Sequence, residues 1–282
     1  MRRVACWVVT VFSLIIVPMY NLAWAEQTAE PARRQIELAT IDYPPLLGDG
    51  SRQDLMNEVS DAVFNLLNIE VSYKVYPMAR IARSVASNTI DGALGSSDWF
   101  YQHDLQHAIY FITFHDLQMN LFYLRQRFPQ GLKFSRLEDL SDYSIGYLRG
   151  GSLLPLFARA KLQPDLVRNL SQNVQKVYAG RNDMFAAVDI GGWATIRQLY
   201  PSEVTKFAIS QQGILTISSN LILSQRNADL VPLVEQALQA LIDSGEYRRI
   251  VEKYYPSPLP PYIDNFIQRP VHSFGSENLS WE

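Results

Sequence analysis

The sequence predicts an α/β protein built as two lobes, and three observations carry that prediction. A strand–helix–strand–helix–strand alternation fills residues 36–95, and a second alternation fills 143–209. Two further helices then close the patterned part of the chain before Tyr255. Alternation of this kind implies a parallel sheet covered by helices.

The elements follow in order. Ile36 to Thr40 is a short strand, broken by Asp42-Tyr43-Pro44-Pro45. In Asp54 to Asn68, Leu55, Val59, Ala62, Val63, Leu66 and Leu67 recur at helical spacing. Ser51 is the expected N-cap of that helix, its hydroxyl accepting an orphan backbone N–H. Val71, Tyr73 and Val75 alternate as one face of a strand over 70–76, and 79–88 is a second helix. Gly92 to Gly95 is a short buried strand. In the second unit, 143–148 is a strand ending in Arg149-Gly150-Gly151-Ser152, and 153–161 a helix. Residues 174–179 are helical, 184–188 a buried strand, 193–200 a helix and 204–209 a strand. Residues 229–243 form an amphipathic helix that tolerates Pro232 in its first turn and stops at Gly245, with a shorter helix over 246–255. The segment 256–282 carries several prolines and no helical period, and reads as an extended C-terminal extension.

The start of the chain predicts export. Arg2 and Arg3 precede the apolar run Val4–Val17, and Ala23-Trp24-Ala25 supplies small residues for cleavage, so 1–25 reads as a signal peptide. That run is shorter than the roughly twenty residues a spanning helix needs. The expected destination is the periplasm, with no membrane insertion after cleavage. The single cysteine, Cys6, lies inside this leader, so the mature chain is expected to lack disulfides. Losing Arg2 and Arg3 takes the net charge from −3 to −5. A mildly acidic chain without a basic stretch is a poor partner for nucleic acid or anionic membranes.

Several passages, in this order, resemble the bacterial extracellular solute-binding proteins of family 3, the amino-acid-type receptors of ABC transporters. They are Tyr43-Pro44-Pro45-Leu46, Tyr76-Pro77-Met78-Ala79-Arg80 and Asn88-Thr89-Ile90-Asp91-Gly92 in the first unit. Leu137-Glu138-Asp139-Leu140, Ile145-Gly146-Tyr147 and Ala179-Gly180-Arg181-Asn182-Asp183 follow in the second, and Gly245-Glu246-Tyr247 through Lys253-Tyr254-Tyr255 close the chain. The resemblance spans about 36–255 and identifies a divergent member. It implies the type II periplasmic binding protein fold, with lobe 1 from 36–122 plus 220–255 and lobe 2 from 123–219. A two-segment hinge near Leu121–Tyr123 and Ile217–Leu221 would close the lobes around a ligand.

Receptors of that family grip the ligand carboxylate with an arginine in the loop after the third strand. Here Ser96-Ser97-Asp98-Trp99-Phe100-Tyr101-Gln102-His103-Asp104-Leu105 contains none. A guanidinium–carboxylate fork has no equivalent among these side chains, so either Arg80 or Arg149 reaches in or the ligand is not an ordinary amino acid. Arg149, Gly151 and Ser152 form the anion candidate: glycine lets backbone approach, and a helix start offers free N–H groups. The alternative there is a turn that merely caps the helix. Asp189 is the candidate for an ammonium, or else an N-cap. Tyr43 and Trp99 are candidate aromatic walls, with Ser97 and Asp98 as polar contacts from the same loop. Phe100 and Tyr101 are wall or core, and Trp193 reads as packing.

His103 and His107 stand four apart, near Asp104, His115 and Asp116, but no further ligand completes a metal set, so neither metal nor cofactor is expected. No nucleophile elbow, zinc-protease motif or P-loop is present. The sequence therefore predicts a monomeric, non-enzymatic receptor that closes on a small polar or charged molecule, an amino acid or related compound, and delivers it to an inner-membrane ABC permease. A soluble sensor subunit and a small periplasmic enzyme on the same fold are the alternatives.

Overall fold

A computed structural model describes residues 33–101, 103–105, 109–255, 259–271 and 273–275. The expected leader and His107 lie outside them. The first unit runs β1 (Arg34–Thr40), α1 (Leu55–Leu66), β2 (Ile69–Val75), α2 (Met78–Ala86), β3 (Gly92–Ser96), the single turn α3 (Asp98–Tyr101) and the long β4 (Ile109–Leu124). The second contributes β5 (Ile145–Leu148), α4 (Leu154–Arg159), β6 (Asp165–Val167), α5 (Leu170–Tyr178), β7 (Met184–Val188), α6 (Asp189–Leu199) and β8 (Phe207–Ile209). The chain returns through β9 (Leu215–Ser224) into α7 (Val231–Asp243), α8 (Glu246–Val251), α9 (Pro261–Ile267) and β10 (Ser273–Gly275).

The strands share one continuous path, β2-β1-β3-β9-β4-β7-β5-β6, with β8 and β10 pairing onto β4. Within each unit the pairs β1/β2, β1/β3, β5/β6 and β5/β7 are parallel, as the alternation predicts. The units meet through β4 and β9, which pair antiparallel from Ile109/Ser224 to Met119/Leu215. At Met119, β4 takes β7 as a further neighbour, while β9 loses β3 beyond Ser219.

Between those exchanges β4 carries a bulge. Thr113 faces Asn220 and His115 faces Ser219, leaving Phe114 without an opposite residue. One inserted residue flips every later side chain to the other face. Accordingly Ile112 and Phe114 enter the main core before the bulge, and Leu117, Met119, Leu121 and Tyr123 enter it afterwards. Ile109 and Phe111 join the α2–α3 core, whereas Phe122 and Leu124 join the α5–α6 core.

Three expectations need correction. Ser51 does not cap α1: its hydroxyl donates to Asp49, and Asp54 holds the N-cap position without a side-chain cap bond, its carboxylate 3.0 Å from Arg52. The extension contains a helix, α9, with Pro261 at the first helical position, where a missing N–H costs nothing. Only Ile263, Phe266 and Ile267 carry its period, too short a run to stand out. Residues 204–206 form a 3-10 turn, so the strand expected over 204–209 shrinks to β8.

Candidate functional site

A cavity of about 80 Å³ opens where the carboxyl ends of β1, β3, β5 and β7 converge on the crossing strands. Ligands in open α/β sheets bind at such strand ends. Tyr43 follows β1, Trp99 follows β3, and Tyr147 and Ser152 lie at the end of β5. Leu117 and Met119 from β4, with Ile217 to Ser219 from β9, form the floor.

Two glycines admit the aromatic walls. A Cβ on Gly191 would lie 2.4 Å from the Tyr43 ring, and one on Gly151 would lie 2.4 Å from the Tyr147 hydroxyl. Tyr43 thereby reaches from the first unit to the start of α6, on the same wall as Val188. Tyr147 accepts the N–H of Leu153 at 2.9 Å. Burial raises both phenol pKa values well above the ordinary range, so both rings keep their O–H.

Of the residues the sequence singles out, Tyr43, Trp99, Gly151 and Ser152 line this cavity. Ser97 precedes α3, its carbonyl accepting from the Phe100 N–H, and Asp98 accepts from the Ser96 hydroxyl at 2.9 Å. Neither is on the wall. Arg80 is exposed, its guanidinium 4.8 Å from the Tyr76 ring centre. Arg149 is exposed too, lining a groove between the two units that also holds Asp42, Arg52 and Arg168 and shares Ile41, Tyr43, Met78, Leu148 and Leu170 with the cavity. Gly151 brings in Tyr147, whose oxygen already occupies an N–H at the start of the six-residue α4. Ser152 is not that helix's cap; Leu153 holds the position. Phe100 is core, edge-on to Phe111, and Trp193 packs edge-on against Phe122.

Asp189 sits half-buried at the head of α6 and accepts from Ile190 N–H at 2.7 Å and from the Tyr262 hydroxyl at 2.7 Å. Burial raises its pKa. Its partner comes from α9, within the segment expected to be extended. Tyr147, Met119 and the Ser218-Ser219 pair were missed as well. Two adjacent hydroxyls inside the apolar run 214–223, and a tyrosine one residue from a strand end, are the signals that could have found them.

Behind the floor, the bulge is held by a polar cluster. Tyr247 donates to the Phe114 carbonyl at 2.9 Å and lies 2.7 Å from His115 Nδ1, while His115 Nε2 is 3.1 Å from the Tyr255 hydroxyl. Burial drives the His115 pKa down to about 3, so the ring is neutral. Asp116 accepts from Ser218 at 3.0 Å and is paired with Arg269 beyond α9. Arg248 meets Asp264 at 2.5 Å, and β10 pairs with β4 at Tyr110–Ile112. The extension thus runs along the crossing strands.

Among the described residues, no group of three or more His, Cys, Asp or Glu is placed to hold a metal, and no helix is long and apolar enough to cross a membrane.

No family model matches this chain, and no curated protein matches it. Solved structures do. A histidine kinase sensor domain with similarity to periplasmic binding proteins aligns with a TM-score of 0.65 at 18% identity, covering 79% of this chain and 96% of that one. The GluR0 ligand-binding core in complex with L-glutamate aligns at 0.69 and 13% identity, over 80% of this chain and all of that one (100%). An ABC uptake transporter substrate-binding protein from Streptococcus pneumoniae with bound histidine gives 0.64 at 13% identity, over 78% and 92%. The chain has the type II periplasmic binding protein fold: two α/β lobes joined through two crossing segments.

Proposed function

We propose that this protein is a periplasmic receptor that closes its two lobes around a small molecule and performs no chemistry on it. The observation that carries this reading is the cavity at the converging strand ends, walled by both units and floored by β4 and β9, the strands along which the units join. The proposed lobes are 36–122 with 220–255, and 123–219. The exchange of strand partners at Met119 and Ser219 supports a hinge between them. The ligands named with the solved neighbours are glutamate and histidine, which makes a compound of amino-acid size the starting expectation. Export rests on the Arg2–Ala25 pattern, and delivery to an ABC permease on the likeness to an uptake receptor. A signalling role is the second reading, favoured by the likeness to a kinase sensor domain.

A thermal-shift screen of amino acids, organic acids, polyamines and sugars tests capture. A ligand at a hundred times its Kd adds about 2.7 kcal/mol, several degrees for a protein of this size. No shift with any class contradicts uptake of common nutrients. Crosslinking of the closed form in cells separates the two roles: a permease supports delivery, and a kinase supports signalling.

A further inference from the structure

We propose that the cavity takes an uncharged molecule, with an apolar body and one carbonyl or hydroxyl oxygen, and not a zwitterionic amino acid. This rests on the capture reading and narrows its ligand. No charged side chain lines the cavity among the described residues. Its polar groups are Ser96, Ser152, Ser218, Ser219 and the hydroxyls of Tyr43 and Tyr147, set among Ile41, Met78, Trp99, Leu117, Met119 and Ile217.

The charged residues nearest the cavity lie off its wall. Asp189, next to the wall residue Val188, is held by Tyr262 and by the N–H of Ile190. Asp98, next to Trp99, accepts from Ser96 and is not on the wall. Arg80 lies over Tyr76, and Arg149 lines the adjoining groove between the units, which shares Tyr43 and Met78 with the cavity but not its floor. An ionised carboxylate or ammonium desolvated here would lose its hydration with no counter-charge to replace it, and that loss outweighs what neutral hydroxyls return.

The neutral hydroxyls define the polar end of the ligand. The Tyr147 oxygen already accepts the N–H of Leu153. Each phenol retains its own hydrogen to give, and the Ser96 and Ser218 hydroxyls spend theirs on Asp98 and Asp116. The walls therefore offer O–H donors to an acceptor oxygen, with no ion pair. The size is modest: about 80 Å³ is roughly half the 150 Å³ of an apolar cavity that admits benzene, so the ligand is a few heavy atoms or the lobes part slightly around it.

Calorimetric titration of the full chain with two sets of probes decides the matter. One set is butanamide, phenol and indole; the other is L-glutamate, L-histidine and L-arginine. The expected result is saturable binding of an uncharged probe, weakened about tenfold or more by Ser152→Leu, which fills the cavity. The variant's unperturbed melting temperature would show that the fold is kept. Preferential binding of a charged probe, weakened by the same variant, overturns the ligand class and leaves capture standing. No binding by either set at about 10 mM, where even a weak site fills, overturns both.

Discussion

The cavity and the bulge lie on the same two strands and are built from opposite materials. The cavity wall carries no charged group among the described residues and holds its aromatic rings against glycines. The bulge, a few residues away, collects a buried histidine, two tyrosine hydroxyls, a carboxylate and the arginine of the extension. Charged and ionisable groups are thus concentrated where the strands must be held in an irregular register. Where a ligand would sit, the polar groups are neutral hydroxyls. The contrast suits a receptor whose hinge must keep one geometry while its cleft stays open to exchange, because a satisfied polar network specifies a unique arrangement.

Breaking the bulge cluster should have the largest effect. Tyr247→Phe leaves the Phe114 carbonyl and His115 without their shared partner in a buried site, and should cost about 3 kcal/mol in chemical denaturation. A loss within about 0.5 kcal/mol would mean the cluster does not hold the hinge. Filling the cavity wall comes next. Gly191→Ala places a methyl 2.4 Å from the Tyr43 ring, and should cost about 2 kcal/mol and weaken butanamide binding. Affinity unchanged in that variant would remove Tyr43 from the site.

The neutral state of His115 makes stability depend on pH. Its folded pKa, about 3, lies below the ordinary 6.5, so between those values the unfolded chain binds the extra proton. Stability is therefore fully present above about 6.5 and falls as pH drops, by up to about 1.4 kcal/mol per unit. Melting temperatures from pH 7 to pH 5 should decline in the wild type, and the slope should flatten in His115→Gln. Asp183, held low by the Ser144 N–H and Arg127, and Asp165, held low by Lys176, act only below this window. Burial raises Asp189, Asp54 and Asp61, which oppose the histidine in both proteins, so the difference between the two slopes is the histidine's own. The smallest effect sharpens the cavity side. Arg149→Ala should leave butanamide affinity and stability within about 0.5 kcal/mol, because the exposed guanidinium is not on the wall. A large loss would restore Arg149 as a ligand contact.

Much of the fold was legible. Helices α1, α2 and α7 carry strong local periodicity, β3 and β7 are short buried runs, and the sequence places them and β1 within a few residues. The crossing strands were seen only as hinge points, because the bulge at Phe114 breaks the period that a 16-residue strand would otherwise show. Helix α9 hid behind Pro260 and Pro261. The site was legible in part: the missing arginine in the loop after β3 is visible in the sequence and agrees with an uncharged wall. The binding of Asp189 by Tyr262 joins residues 73 apart, and no local pattern encodes such a pair. Nor could composition tell that Arg149 stays exposed, off the cavity wall.

Closure itself is the central claim, and a distance across the cleft tests it most directly. Spin labels can be attached through Arg83→Cys and Arg168→Cys, both at exposed positions in different units, in a Cys6→Ser background that removes the single native cysteine. Double electron–electron resonance with and without butanamide then reads the separation. The account predicts a broad distribution in the free protein that shifts to a shorter, narrower one with the probe. An identical distribution in both states, with binding established calorimetrically, would contradict a hinge at β4 and β9.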